Sequence, residues 1–237
     1  MIVTIHQPEH LPWLGFFNKA DQADLLVLLD VVQYRKDYFQ NRNRILGQQG
    51  PVWLTVPVVT RGYLEGTIGD MRISNAAVAH NRTDWRHDHM KLIRHFYGRH
   101  PHFEEHRPFL EDTYTRDWGL LVDLNEHYIE WFVRTMGIAT PVVRASSLDV
   151  AGSSSDLLLS ICRAAGATTY LSGPTGREYL DEAVFQEAGI AVRYHAFEHP
   201  EYSQRGTDAF VSHLSTLDLV LNAGPESLAV IRSGTSD

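Results

Sequence analysis

The sequence predicts an α/β protein: a mostly parallel sheet with flanking helices and a helical insertion in the middle of the chain. Three observations lead there. Short apolar runs rich in β-branched residues recur in both halves of the chain. Each is followed by a polar or glycine-containing turn and then by a helical stripe. Between the halves lies a stretch whose apolar residues recur only at helical spacing.

Residues 2–5, Ile-Val-Thr-Ile, suit a buried first strand ending in the polar loop His6-Gln7-Pro8. Trp13, Leu14, Phe16 and Phe17 fall at near-helical spacing. The apolar run 25–29, bounded by Asp24 and Asp30, then reads as a second strand buried on both faces. Together these make a βαβ unit. Residues 52–58 are a third strand candidate, with Pro57 near its end, where a missing N–H matters least. Residues 33–49 read as a long polar connection before it.

Helical periodicity takes over at 81–137, with Trp85, Met90, Ile93 and Phe96 on one stripe and Leu121, Leu124, Tyr128, Trp131 and Phe132 on another. Pro101 and Pro108 cut this region into two or three helices. The predicted division is therefore an α/β core of 1–75 and 138–237 around an insertion at 76–137. In the second half, strands at 141–144, 168–171 and 190–194 alternate with helices at 153–165 and 177–188. A helical tail at 216–231 is broken at Asn222-Ala-Gly-Pro225.

Composition narrows the function classes. With 237 residues, 43% of them apolar, the chain can bury a sizeable core without disulfides. One cysteine, Cys162, excludes an intrachain bridge or a cysteine metal cluster and points to a reducing compartment. No window approaches the roughly 20 apolar residues of a membrane-spanning helix. The start MIVTIHQPEH lacks the basic and apolar segments of a signal peptide, so the expected location is the cytoplasm, with no membrane partner. A net charge of −8 argues against binding duplex nucleic acid, DNA included, over a broad surface. A local basic patch stays compatible with it.

Chemistry is expected where strands end, because the carboxyl edge of a parallel sheet is the usual ligand crevice. His6 sits there and suits a general base or a phosphate contact. His10 reads as an exposed loop residue. The segment 30–45 gathers Asp30, Gln33, Tyr34, Arg35, Lys36, Asn41, Arg42, Asn43 and Arg44, and its cations suit phosphates or carboxylates. In the second half, Ser172-Gly173-Pro174-Thr175-Gly176 turns from a strand toward a helix bearing Tyr179, a place where backbone N–H groups meet anions. It is neither a P-loop nor a dinucleotide-binding GxGxxG. The insertion holds His87, His89, His95, His100, His102 and His106, but no HExxH, and surface histidines are the favoured reading over a zinc site. No GxSxG elbow exists, and Cys162 lies in an apolar helix, so serine-hydrolase and thiol mechanisms fit poorly. His199-Pro-Glu-Tyr202-Ser-Gln204 is a further polar loop after a strand.

The blocks IHQPEHLPWLGFFNKADQADLLVLLDVVQYRKDYFQNRNRI, WLTVPV, TYLSGPTGREYLD, HPEYSQ and LSTLDLVLNAGP resemble the WbqC-like family of bacterial proteins, from Met1 to about Gly224. Position 10 departs from it, since an aromatic such as tyrosine is expected where His10 stands. Among the matched positions are His6, Gln7, Trp13, Gly15, Lys19, Asp30, Gln33, Tyr34, Lys36 and Asn41 to Asn43. Ser172, Gly173, Tyr179, Gln204 and Asn222 match in the second half. The resemblance implies an enzyme of O-antigen sugar or specialised-metabolite biosynthesis, with amide-linked aminoacyl decoration of amino sugars as a shared theme. The order of elements at the N-terminus also looks like nucleotide-binding folds of the cytidylyltransferase and pantothenate-synthetase type, although their HxGH signature is absent.

The leading expectation is a transferase or ligase joining an acyl or aminoacyl group to the amine of a small metabolite. His6, Lys36 and Arg42 would carry the chemistry, Asp30 and Asn43 would orient them, and the Ser172-Gly173 turn would bind the donor. The donor would be an ATP-activated carboxylate or a charged tRNA; for tRNA, Arg82, Arg86, Lys91, Arg94 and Arg99 are the candidate contacts. The alternative is a non-catalytic module binding a nucleotide-sugar or other small ligand. A metal-dependent hydrolase would rest on the histidine cluster alone.

Overall fold

A computed structural model describes residues 1–61, 66–75 and 84–235. Five parallel strands form the central sheet: β1 (Ile2–His6), β2 (Leu25–Leu28), β5 (Val142–Arg144), β6 (Thr169–Ser172) and β7 (Ala191–Tyr194), in the order β5-β2-β1-β6-β7. β3 (Arg42–Gly47) and β4 (Gly50–Thr55) form a separate antiparallel hairpin. The run expected at 52–58 is thus the second arm of a hairpin outside the sheet. The supposed polar connection at 33–49 contains its first arm. In β3 the polar Arg42 and Arg44 face outward while Asn43 and Ile45 are buried, so an alternating strand was concealed by its outward charges.

The side chains of β1 and β2 alternate between two apolar clusters, as strands covered on both faces require. Leu26 and Leu28 join α1 (Leu14–Asp21), α4 (Leu121–Met136) and α7 (Thr216–Ala223) on one side. Val3, Ile5 and Val27 join α5 (Ser154–Ala164) and α6 (Glu182–Glu187) on the other. The first of these clusters also takes in Ile45, Leu54, Ile93, Tyr97 and Leu110. The hairpin, α2 (Trp85–Tyr97) and α3 (Phe103–Thr115) therefore share one continuous core with α1, α4 and α7. α8 (Ser227–Ser233) closes the chain against α1, where Arg232 meets Asp21 at 2.7 Å.

Local chemistry sets the ends of these elements. α4 stops at Gly137, whose φ of 73° is the left-handed conformation that glycine adopts most readily. Pro101 falls between α2 and α3, but Pro108 lies inside α3 and does not cut it. The helix expected at 177–188 is shorter. Residues 174–178 wind as a 3-10 turn opened by Pro174, and α6 begins only after Asp181, whose carboxylate accepts the Ala183 N–H at 3.1 Å. Cys162 is fully buried in α5, and burial pushes its thiol up to about 12, which removes it as a nucleophile near neutral pH. Among the described residues no helix is long and apolar enough to cross a membrane.

Candidate functional site

After β1 the chain crosses by α1 to β2 on one side; β6 pairs with the opposite side of β1. The β1/β6 boundary is therefore where the winding reverses, and the crevice outside the carboxyl ends of those strands is the place such sheets offer a ligand. His6 ends β1 and Ser172 ends β6.

Three ionisable side chains meet there. The His6 Nε2 lies 3.2 Å from Glu9 Oε1, and because a carboxylate only accepts, this contact places the ring proton on Nε2. His6 Nδ1 is left with a lone pair and no hydrogen-bond partner, and Glu9 Oε2 has none either. The His6 side chain is 27% exposed and Glu9's 8%, so the imidazole is the more open member. Phe16 packs edge-on against the imidazole at 4.8 Å. Lys19, on α1 and 3% exposed, donates to the Ile5 carbonyl at 3.1 Å. Burial brings its ammonium down to about 8, against the opposing pull of Glu9. Burial, then the charge of Lys19, holds His6 below the usual histidine value in spite of Glu9.

β6 and β7 complete the edge. Ser172 is fully buried, and its carbonyl accepts the His195 N–H at 2.8 Å. Its hydroxyl lies so close to Gly176 that any side chain there would overlap it, so the Ser-Gly-Pro-Thr-Gly turn folds directly over the strand end. His195 donates from Nε2 to Asn18 Oδ1 at 2.6 Å. Burial, then Lys19 and His6, brings the His195 imidazole down to about 4.

The two N-terminal loops are locked together above this edge. Gln40 donates to Gln7 Oε1 at 2.7 Å, and the His10 N–H donates to the Phe39 carbonyl at 2.9 Å. Asn125 of α4, fully buried, donates to the carbonyls of Pro8 at 3.2 Å and Gln40 at 2.7 Å. Its oxygen accepts a hydrogen bond from His10 Nδ1–H at 3.3 Å. His10, expected to be exposed, is thus fully buried, with Tyr128 and His89 beside it, and burial brings it down to about 3. The aromatic expected at this position finds its reason in that pocket.

His6, Gln7, Lys19, Ser172 and Gly173 therefore converge on the β1/β6 edge. Tyr179, 60% exposed, follows the turn over it, and its phenol is raised by burial first and by Tyr38 second. Other candidates are engaged elsewhere. Asp30 caps the chain after β5, accepting from Ser146 N at 2.9 Å and from its hydroxyl at 2.5 Å. Gln33 bridges to Thr67, and Tyr34 is buried in the core. Asn41 donates to the Val56 carbonyl at 2.9 Å and Asn43 to that of Leu11 at 2.8 Å. Arg42 donates to the Asp37 carbonyl at 2.6 Å and lies over Trp53, while Lys36 is exposed on the loop. Gln204 donates to Asp218 Oδ2 at 2.9 Å beside Tyr202, in the layer of α7.

A groove of about 940 Å³ lined by Arg86, Lys91, Arg94 and Glu111 opens between α2 and α3, away from the sheet edge. Two of its cations are already neutralised: Arg86 pairs with Asp84 and Asp117, and Arg94 pairs with Glu111. Arg82 lies outside the described residues. The histidines of this region pack on rings, His106 on Trp131 and His100 on Tyr97, and His89 contacts the Thr55 carbonyl at 3.1 Å. Among the described residues no group of three or more His, Cys, Asp or Glu is arranged to hold a metal ion.

The WbqC-like family model matches residues 7–230, from the loop that follows β1 through β6, β7 and most of α8, with β1 and His6 just before the matched span. The chain belongs to the WbqC-like protein family. A similar curated protein is the uncharacterized protein Rv1507c of Mycobacterium tuberculosis (strain ATCC 25618 / H37Rv), 31% identical over 232 residues that cover 97% of each chain. No solved structure matches. In this WbqC-like protein Glu9 and His195 are the members of the cluster that sequence reasoning passed over. Glu9 stands three residues after His6, and His195 directly follows a strand on the same sheet edge.

Proposed function

We propose that this WbqC-like protein is a biosynthetic enzyme that joins an acyl or aminoacyl group to the amine of a small metabolite such as an amino sugar, with its centre at His6, Glu9 and Lys19. The donor is an ATP-activated or an RNA-borne carboxyl group. The observation that carries this reading is the tautomer of His6: Glu9 fixes the proton on Nε2 and leaves Nδ1 as an unpartnered base. As the amine attacks the acyl carbon it gives up a proton, for which Nδ1 is the acceptor. The bond from that carbon to the donor's phosphate or ribose oxygen breaks, and the departing oxygen leaves with the phosphate or takes a proton as the ribose hydroxyl. Lys19 supplies a positive charge in a water-poor place, where it favours a carboxylate, a phosphate or a developing oxyanion. The turn 172–176 contributes the binding wall on the donor side. Positioning and charge carry the reaction without a protein nucleophile.

The test supplies purified protein with ATP, amino acids, charged tRNA and amino sugars, and reads amide products by mass spectrometry. Product formation that drops by about 100-fold or more in His6→Ala, the usual scale of a lost general base, supports the reading. Product formation unchanged in His6→Ala and in Lys19→Met would sink it. A second reading, a non-catalytic module holding a nucleotide-sugar or another small ligand, draws on the sealing of Nδ1 and Glu9 Oε2 from solvent. It predicts ligand-dependent thermal stabilisation with nothing consumed.

A further inference from the structure

Outside the buried cluster, exposed aromatic surface concentrates beside it. Tyr38 and Trp53 are each 43% exposed, and among the described residues the other large aromatics, Tyr179 apart, are more covered. Trp53 stands on the outer face of the hairpin. Arg44 pairs with it across the ladder and Arg42 lies two residues along on the same face. Their guanidinium carbons are 5.5 and 4.6 Å from the indole centre, so the indole carries two cations, of which Arg42 also pairs with the exposed Asp37 at 3.4 Å. The Phe39 ring lies 6.1 Å from Trp53, and the Tyr38 ring 5.6 Å from Phe39. The loop that bears Tyr38 and Phe39 is tied to the loop after His6, since the Phe39 carbonyl accepts the His10 N–H at 2.9 Å and Gln40 donates to Gln7 Oε1 at 2.7 Å. Arg35 and Lys36 are exposed on the same loop.

We propose that the track Trp53–Phe39–Tyr38, with Arg42 and Arg44, binds the single-stranded end of an RNA and leads it to the β1/β6 edge. This rests on the reading of that edge as an acyl-transfer centre and selects the RNA-borne donor. Unpaired bases stack on successive aromatic rings whatever their identity, and guanidiniums between them take the phosphates. A chain of net charge −8 cannot clamp a long duplex, but a narrow strip with two stacked guanidiniums and two further cations can hold a few nucleotides. Arg42, which in sequence looked suited to phosphate, thereby finds its use on the approach to the centre, together with Arg44.

Binding is read without turnover, by fluorescence anisotropy of a short labelled single-stranded RNA at low salt, with the same sequence as a duplex for comparison. Wild type is expected to bind the single strand more tightly than the duplex. Trp53→Ala is expected to weaken binding roughly tenfold, while Trp53→Phe, which keeps a stacking face, retains most of it. The double variant Arg42→Ala/Arg44→Ala is expected to flatten the dependence of log K on log salt by about 1.4, two phosphates' worth. Thermal melts confirm that each variant folds. His6→Ala is expected to bind RNA as wild type does. No binding at low salt, preference for the duplex, or Trp53→Ala equal to wild type overturns the proposal. So does a wild-type dimer that Trp53→Ala abolishes in the absence of RNA binding, which would mark the patch as a contact between copies. Loss of RNA binding in Trp53→Ala together with full activity in His6→Ala would leave the track standing and remove the acyl-transfer reading.

Discussion

Lys19 shows what the cluster costs the fold. An ammonium with one hydrogen-bond acceptor in a buried position is less favourable than in water, and its descent from 10.5 to about 8 measures that penalty. Between those values the unfolded chain binds more protons than the folded one, so stability rises with pH across the window and the full penalty is felt below it. The total is on the order of 3 kcal/mol. In Lys19→Met that contribution to the alkaline slope disappears. Urea unfolding at neutral pH and near pH 10.5 should show wild type gaining stability relative to the variant, and equal gains in both proteins would refute the assignment of a strained Lys19. Lys19 was legible as a matched family position, and His6 as a polar residue at a strand end. Glu9 was hidden because a carboxylate in a polar loop is unremarked until its partner's tautomer matters. Lys36 and Arg42 were drawn in by charge, by the asparagines beside Arg42 and as matched family positions, none of which says which face of a loop or hairpin a side chain takes.

At the level of elements, α4 governs the centre from a distance through Asn125. That one amide satisfies the Pro8 and Gln40 carbonyls and accepts from the His10 Nδ1–H, so it joins both N-terminal loops to a helix of the middle region. Asn125→Ala leaves two buried carbonyls and one imidazole N–H unpaired, and the expected loss is about 3 kcal/mol in chemical denaturation. Because the same loops carry His6 and Glu9, the proposed amide-forming activity should fall as well, even below the unfolding transition. A variant as stable as wild type would show that water replaces the amide. A second tie holds the hairpin: the Tyr97 hydroxyl accepts the Leu46 N–H at 2.7 Å and donates to Asp218 at 2.8 Å. The parallel strands were legible because both their faces are apolar, which leaves unbroken runs bounded by turns. Of the hairpin, β4 was legible as a strand but β3 was not, since its outward face is covered by side chains that bear charge. The extent of α6 was misjudged because Pro174 and Asp181 each signal a helix start, and only the second begins an α-helix.

The whole molecule buries imidazoles in both halves, and that sets its response to acid. His10, His89 and His195 are 0%, 4% and 7% exposed, and burial above all lowers them to about 3, 4 and 4 from the ordinary 6.5. Burial keeps each neutral although the oxygens that accept from the rings, Asn125 for His10 and the Thr55 carbonyl for His89, pull the other way; at His195 the charges of Lys19 and His6 add to burial. From pH 6.5 down to about 4 the unfolded chain takes up these three protons and the folded chain does not, so stability falls as pH falls. The slope reaches about 4 kcal/mol per pH unit where all three act together, against a total stability of about 5–15 kcal/mol for a typical domain. Asp218 works in the opposite sense. Burial raises its carboxyl, so its contribution is present in acid and lost as pH rises, but it is one proton against three. The protein should therefore unfold cooperatively between about pH 6 and 4, followed by tryptophan fluorescence and far-UV circular dichroism at fixed ionic strength. His89→Gln keeps an N–H donor for the Thr55 carbonyl and removes one titrating group, so its acid midpoint should lie below that of wild type. A wild-type molecule whose stability is flat from pH 7 to pH 4 would mean that these imidazoles reach solvent by local opening before the fold gives way.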